Sequence, residues 1–119
     1  MPNGFSGIGE GWRQALWDLC VELEPHVQAI NRQLAAEEQH TSFEVMQVKE
    51  KFGGLRFYVN HHSDAIDACI QKPQARARTT CMPCGQAGTS RTDDWWRVAC
   101  DAFQAARETA ALRRLRREE

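Results

Sequence analysis

A Cys-x-x-Cys-Gly turn constrains this sequence more than any other feature. Cys81 and Cys84 are followed by Gly85, and a third cysteine, Cys100, comes sixteen residues after Cys84. Two thiolates at this spacing grip one metal ion from a tight turn, and a glycine with positive φ lets backbone N–H groups point at the sulfurs. The spacing predicts a zinc-ribbon-like knuckle in which Cys81, Cys84 and Cys100 are metal ligands and Zn²⁺ is the cofactor.

The fourth ligand is missing from this motif. A zinc ribbon closes with a second Cys-x-x-Cys pair, but Phe103 stands at the last position of that pair here. Because structural zinc is almost always four-coordinate, we expect the fourth ligand to be Asp101, His61, His62 or water. In the alternative without metal, Phe103 fills the ligand position and hydrophobic packing replaces the ion. A redox pair is less favoured, because the motif does not lie near the start of a βαβ unit.

Composition restricts the class of protein. The 119 residues suit a single domain over 1–119, and the hydrophobic share of 42% and charged share of 26% are those of ordinary soluble proteins. No apolar run approaches the ~20 residues of a membrane span, and the N-terminus lacks the basic and apolar segments of a secretion signal. We therefore expect a cytoplasmic protein without a membrane partner, whose five cysteines are thiols or metal ligands rather than disulfides. The net charge of −1 gives no global basic field for nucleic acid.

Hydrophobic periodicity predicts an α+β fold with a helical N-terminus, an antiparallel β-hairpin, the knuckle and a C-terminal helix. After a glycine-rich, irregular lead-in over residues 1–11, residues 12–36 repeat apolar side chains at helical spacing. Pro25 ends or kinks this first helix, or opens a second one. Residues 43–60 predict the hairpin, because apolar side chains alternate after Gly53–Gly54.

The second half of the chain predicts two more helices. Residues 64–72 are expected to form a short helix that Pro73 interrupts. Residues 81–103 predict the knuckle and a helix that Thr92 caps, and residues 104–119 continue that helix into an arginine-rich end. The first turn and the apolar face of this last helix are expected to contain Asp93, Asp94, Trp96, Ala99, Cys100 and Phe103.

The hairpin and the knuckle together resemble a family of short bacterial proteins that are often associated with prophages and mobile elements and have no assigned activity. Residues 47–58, QVKEKFGGLRFY, carry the resemblance with the later Cys-x-x-Cys-Gly, a Trp and a Cys-Asp pair, and the similarity spans about residues 9–103. The family pattern opens with a Gly-Trp helix, like Gly11–Trp12 here, and closes with Cys-Asp-x-Cys. The resemblance implies that the three cysteines are zinc ligands, with Phe103 in place of the fourth.

Cations and aromatic residues around the hairpin turn form one candidate binding surface. Lys49, Lys51 and Arg56 flank the two glycines together with Phe52 and Tyr58. Cations in such a group can meet phosphates while the rings stack on bases. The alternative, which the pattern favours, is a solvated hairpin face with Phe52 folded inward.

Two further groups are candidates for partner binding. Trp95 and Trp96 would point ~100° apart on a helix, so one is buried and the other is partly exposed or engaged at an interface. The alternative is a second core contact near the start of the helix. Arg113 and Arg114 belong to an arginine cluster that can contact phosphates or an acidic protein, and the alternative is ordinary charge at a helix C-terminus.

The chain contains no catalytic signature. Neither H-E-x-x-H nor H-x-E occurs, and catalytic zinc usually needs a general base beside it, so we expect no enzyme. A compact chain with four tryptophans favours a small protein-binding protein of phage or mobile-element context, for example an inhibitor of a host defence system such as an anti-CRISPR. Its partner is expected to be a host or phage protein. The alternative is a zinc-ribbon nucleic-acid-binding module.

Overall fold

The computed structural model describes residues 8–92 and 96–118, and its fold is α+β, as predicted. A short 3₁₀ turn, Glu10–Trp12, leads into the first helix. The elements that follow are α1 Arg13–Ala36, β1 Val45–Lys51, β2 Gly54–Val59, α2 Asp64–Ala77, β3 Thr89–Arg91, β4 Arg97–Ala99 and α3 Asp101–Glu118. The expectations for residues 1–7, Asp93, Asp94, Trp95 and Glu119 lie outside the described residues.

Helix α1 is one continuous helix rather than the two that Pro25 suggested. Leu16, Leu19 and Leu23 are buried at helical spacing along its inner face. Pro25 lies on the exposed side of the helix, and Val21, whose carbonyl loses its N–H partner, is exposed as well. Solvation of that carbonyl offsets the missing hydrogen bond, and the buried stripe keeps the helix intact.

Helix α2 is longer than predicted, because it continues through Pro73 to Ala77. Ser63 caps its start, since the Ser63 hydroxyl accepts a hydrogen bond from the N–H of Ile66 at 3.2 Å. Pro73 is buried and lines the groove between α1 and α2. Packing of the proline ring therefore offsets the hydrogen bond that its nitrogen cannot donate.

The core lies between the first two helices and one face of the first hairpin. Helix α2 packs against both α1 and β2. Strands β1 and β2 are antiparallel, with Val48 opposite Phe57, and both side chains join Leu55 and Ile66 in one buried cluster. Because the side chains of a strand alternate between faces, the other face of this hairpin points away from the helices.

The turn of the first hairpin consists of Phe52 and Gly53, since the register pairs Lys51 with Gly54. Both turn residues have positive φ, +53° and +78°, as a two-residue type I′ turn requires. Phe52 is 66% exposed, so the expectation that it folds inward is wrong. The reason is geometric, because the turn carries this side chain beyond the end of the sheet and out of reach of the core.

A second antiparallel hairpin replaces the first part of the predicted last helix. Strands β3 and β4 pair with Ser90 opposite Val98, and α3 begins only at Asp101. Apolar residues between positions 96 and 103 are spaced as in a helix, which explains the wrong prediction. Val98 is instead buried, and its carbonyl accepts a hydrogen bond from the N–H of Met82 at 3.1 Å. This contact with the knuckle outweighs the local pattern.

Helix α3 projects from the rest of the protein. The molecule measures 68 × 25 × 20 Å. The side chains of α3 that the structure describes, through Leu115, are exposed apart from the partly buried Gln104 and Arg107. Neither α3 nor any other helix in the described ranges combines the length and apolarity of a bilayer-crossing segment.

Candidate metal centre

Three sulfur atoms meet where the knuckle approaches the second hairpin. The Sγ atoms of Cys81, Cys84 and Cys100 all lie within 4.8 Å of one another, and those of Cys84 and Cys100 are 3.7 Å apart. A disulfide needs a separation of ~2.05 Å. Two thiolates that each lie ~2.3 Å from a tetrahedral ion are ~3.8 Å apart. The three cysteines are therefore placed to hold a metal ion, as predicted.

Backbone hydrogen bonds shape the turn that carries the first two cysteines. The N–H of Gly85 donates to the carbonyl of Cys81 at 2.8 Å, and the N–H of Cys81 donates to the carbonyl of Gln86 at 2.8 Å. Gly85 has a φ of +84°, a conformation that side chains rarely adopt. The chain reverses at this glycine, so that the N–H of Gln86 donates to the sulfur of Cys84.

Cys100 reaches the knuckle from the second hairpin. The hydrogen bond from the N–H of Met82 to the carbonyl of Val98 sets β4 beside the knuckle, and Cys100 follows β4 directly. In the first turn of α3, the N–H groups of Ala102 and Phe103 donate to the sulfur of Cys100. Cys100 thus lies at a helix N-terminus, where the helix dipole favours a thiolate.

Cys84 and Cys100 ionise unequally. The hydrogen bond from the N–H of Phe103 contributes most to lowering the pKa of Cys100 below its ordinary value, and the thiols of Cys84 and Cys81 lower it further. The N–H of Gln86 also lowers the pKa of Cys84, but desolvation and the two neighbouring thiols leave that pKa above its ordinary value. Cys100 therefore forms a thiolate, the metal-binding species, more readily than Cys84.

The start of the first helix is fastened to the knuckle. The N–H of Gly11 donates to the carbonyl of Met82 at 2.7 Å, and a Cβ at Gly11 would lie 2.0 Å from the carbonyl oxygen of Cys81. Trp12 is fully buried, and its indole N–H donates to the carbonyl of Thr80 at 2.8 Å. The sequence predicted an irregular lead-in over residues 1–11 and a helix from Trp12. No local pattern predicts the hydrogen bond between Trp12 and Thr80, because the two residues are 68 positions apart.

No protein side chain proposed as the fourth ligand reaches the cluster in the described part of the chain. Asp101 is fully exposed and pairs with Arg91 at 2.8 Å. His61 and His62 are hydrogen-bonded to side chains other than the three cysteines. Phe103 is 43% exposed, so it does not replace an ion with buried packing. Water is the remaining candidate among those that the sequence suggested.

The hairpin turn and the start of β4 form a second group of candidate residues. The ring centroids of Phe52 and Trp96 are 5.5 Å apart, with the planes at 75° in an edge-to-face contact. A Cβ at Gly53 would lie 3.0 Å from the nitrogen of Arg97, so the turn rests on the backbone of β4. Trp96 is 52% exposed, which leaves both rings of the pair open to solvent.

The cations predicted for this surface lie beside its aromatic rings. The Nζ atoms of Lys49 and Lys51 are 5.4 Å and 5.8 Å from the ring centroids of Tyr58 and Phe52, respectively. Arg56 lies opposite Lys49 in the strand register. The structure thus brings together the hairpin residues that the sequence grouped, and it adds Trp96 to them.

The arginine candidates lie elsewhere. Arg113 and Arg114 are exposed on the far part of α3, ~20 Å along the helix axis from Cys100. They line a shallow groove on the helix surface with Ala106, Thr109 and Ala110. The structure does not bring them to the metal-binding cysteines.

No protein-family model, curated protein or solved structure matches the chain. The functional argument therefore rests on the three-cysteine cluster and on the surface around the first hairpin.

Proposed function

We propose that this protein is a non-catalytic, cytoplasmic nucleic-acid-binding module whose scaffold is held together by a structural Zn²⁺ ion. Three thiolates select zinc among the common divalent cations, because hard ions such as Mg²⁺ and Ca²⁺ prefer oxygen ligands. The sulfur separation of 3.7 Å suits tetrahedral coordination by zinc. Cys81, Cys84 and Cys100 would hold the ion, and water would complete its coordination.

A structural role for the metal is favoured over a catalytic one. Three protein ligands and a water resemble the coordination of catalytic zinc, but that chemistry also needs a general base near the water. Asp101, the carboxylate next to Cys100 in the chain, is engaged by Arg91. The histidines His61 and His62 are hydrogen-bonded elsewhere. What the metal would supply here is a cross-link between the knuckle and the junction of β4 with α3.

The uneven distribution of charge along the chain, which makes the hairpin and the residues after it basic, is the observation that carries the nucleic-acid proposal. Residues 10–44 contain seven carboxylates and two arginines, whereas residues 45–92 contain three carboxylates and seven lysines or arginines. The net charge of −1 therefore conceals a basic region. The anionic phosphate backbone of a nucleic acid binds such a basic region and releases its own counterions as it does so.

The cations of the hairpin remain available, whereas those within α2 are already paired. Lys72 pairs with a carboxylate of α1 at 3.1 Å, and Arg76 pairs with another at 3.0 Å. Lys49, Lys51 and Arg56 form no ion pair with any residue in the described ranges. Phosphates would therefore meet uncompensated charge on the hairpin and compensated charge on α2.

A protein partner is the second candidate, and α3 is the observation that favours it. A helix whose described side chains are almost all exposed is marginally stable by itself. Leu112 and Leu115 of α3 are exposed apolar side chains that a protein surface would cover. A host or phage protein bound there would fit the proposed phage or mobile-element context, including inhibition of a host defence system in the manner of an anti-CRISPR.

Affinity purification of the tagged chain from host lysate distinguishes the two candidates. We expect nucleic acid to co-purify, to be lost after nuclease treatment, and to be depleted by Lys49→Gln with Lys51→Gln. Lys72→Gln is the matched control, because Lys72 is an exposed lysine that is already neutralised. A stoichiometric protein that persists after nuclease, with no nucleic acid recovered beforehand, would contradict the nucleic-acid proposal and support the second candidate. Metal analysis of the same preparation should find zinc.

A further inference from the structure

The outer face of the first hairpin has a composition suited to an unpaired nucleic-acid strand. The register places Lys49 opposite Arg56 and Lys51 opposite Gly54 on the face that points away from the helices. Tyr58 lies on the same face and is partly exposed. No carboxylate belongs to this described face. Glu50 lies on the opposite face of the hairpin, and its carboxylate accepts a hydrogen bond from the backbone N–H of Gly53 in the turn.

The conformation of Phe52 adds a second observation. Type I′ turns favour Asn, Asp or Gly at this position, and a positive φ of +53° is unusual for a bulky side chain. Burial in the core does not compensate for the strained backbone, because two-thirds of the Phe52 side chain is exposed. A strained residue that displays an aromatic ring to solvent points to a function for that ring.

The rings and the cations are spaced for successive nucleotides. About four residues of extended strand separate Tyr58 from the turn, so the rings are spread over ~14 Å. Each of the two lysines sits within 6 Å of a ring centroid. A base stacked on Tyr58 or Phe52 would carry its phosphate past Lys49 or Lys51.

From this arrangement we propose that the outer hairpin face, with Trp96, binds single-stranded nucleic acid by stacking bases on Phe52, Trp96 and Tyr58 and pairing phosphates with Lys49, Lys51 and Arg56. This inference rests on the proposed nucleic-acid function and narrows it. Duplexes keep their base faces stacked inside the helix, so exposed rings add nothing to duplex binding. Stacking is tolerant of base identity, and binding is therefore expected to show little sequence preference.

Phe52→Asn is the decisive variant. Asparagine suits the left-handed turn conformation better than phenylalanine, so this substitution removes the ring while favouring the fold. Trp17→Ala is the matched control, because Trp17 is an exposed aromatic residue on the acidic helix α1. The assay is fluorescence anisotropy of a labelled mixed-sequence 15-mer, as DNA and as RNA, beside the duplex of the same sequence, with the zinc-loaded full chain.

We expect the single strand to bind at least tenfold more tightly than the duplex, and Phe52→Asn to weaken single-strand binding about tenfold. Trp17→Ala should leave both affinities unchanged. Three phosphate contacts predict a slope of about −2 for log K against log salt. Equal affinity for both forms, or an unchanged affinity in Phe52→Asn, would overturn this inference and leave the nucleic-acid function standing. Binding to neither form would overturn the nucleic-acid function as well.

Discussion

Completing the metal site by Phe103→Cys is the most direct test of how the knuckle and α3 meet. Residue 103 is the third residue of α3, and its N–H already donates to the sulfur of Cys100. At a helix start, the side chain of this third residue reaches back toward the capping residue, as in a capping box. A thiolate at position 103 would therefore face the ion that Cys100 helps to hold, and would replace the proposed water.

The expected gain in affinity is about 100-fold. Four-ligand zinc sites in small domains contribute ~10–16 kcal/mol at neutral pH, or roughly 3 kcal/mol for each ligand. One such ligand corresponds to about two orders of magnitude in the zinc dissociation constant. The loss of the Phe103 ring opposes this gain only to the extent that it destabilises the fold that binds zinc. Just over half of that side chain is buried, which limits the cost to ~2–3 kcal/mol.

Chelator competition measures the zinc dissociation constants of the natural protein, Phe103→Cys and Phe103→Ser. The serine variant removes the same ring without adding a thiolate, so it isolates the effect of the fourth sulfur. Substitution with Co²⁺ reports on the geometry, because a fourth thiolate strengthens the visible bands of a tetrahedral site. If Phe103→Cys binds zinc no more tightly than Phe103→Ser, the first turn of α3 does not present residue 103 to the metal.

Three further perturbations address the contacts around the knuckle. Adding a chelator should lower the melting temperature of the natural protein and of Cys20→Ser, but it should not change the melting temperature of Cys81→Ser. An equal change in all three proteins would contradict zinc binding by the knuckle. Gly11→Ala should cost at least ~2 kcal/mol in urea unfolding, because its Cβ would meet backbone atoms of the knuckle at 2.0–2.6 Å. Gly54→Ala, whose nearest contact is 3.4 Å, should cost less, and the reverse order would show that the helix start does not dock as described. Trp12→Phe should cost about 1–3 kcal/mol, since the carbonyl of Thr80 loses its indole donor in a partly buried site, and an unchanged urea midpoint would refute this contact.

The metal-binding cysteines and the first hairpin were predictable because their signals are local. Two cysteines and a glycine within five residues define a turn, and Gly53–Gly54 between alternating strands defines another. In the structure the turn consists of Phe52 and Gly53, and Gly54 already belongs to the second strand. Phe52 takes the first turn position, against the usual preference for Asn, Asp or Gly.

Long-range contacts explain what local patterns missed. Strand β4 forms where the apolar spacing resembles a helix, because Val98 bonds to the knuckle sixteen residues earlier. Pro25 and Pro73 both lie inside helices, although a proline usually ends a helix. Pro25 is tolerated because it is exposed to water, and Pro73 because it is packed in the groove between α1 and α2. The role of Gly11 depends on a turn seventy residues away, and no pattern within its own segment encodes that partner.

The metal centre and the proposed binding surface are linked by consecutive contacts. The turn of the first hairpin contacts the backbone of Arg97 in β4. The next residue, Val98, is hydrogen-bonded to the knuckle, and Cys100 directly follows β4. Trp96 immediately precedes the same strand and contacts Phe52. A strand of three residues has little stability by itself. An ion held by Cys100 and the knuckle would therefore fix the position of β4, and with it the aromatic pair that we propose as the base-stacking platform. On this view, the metal is required for binding although it does not touch the nucleic acid.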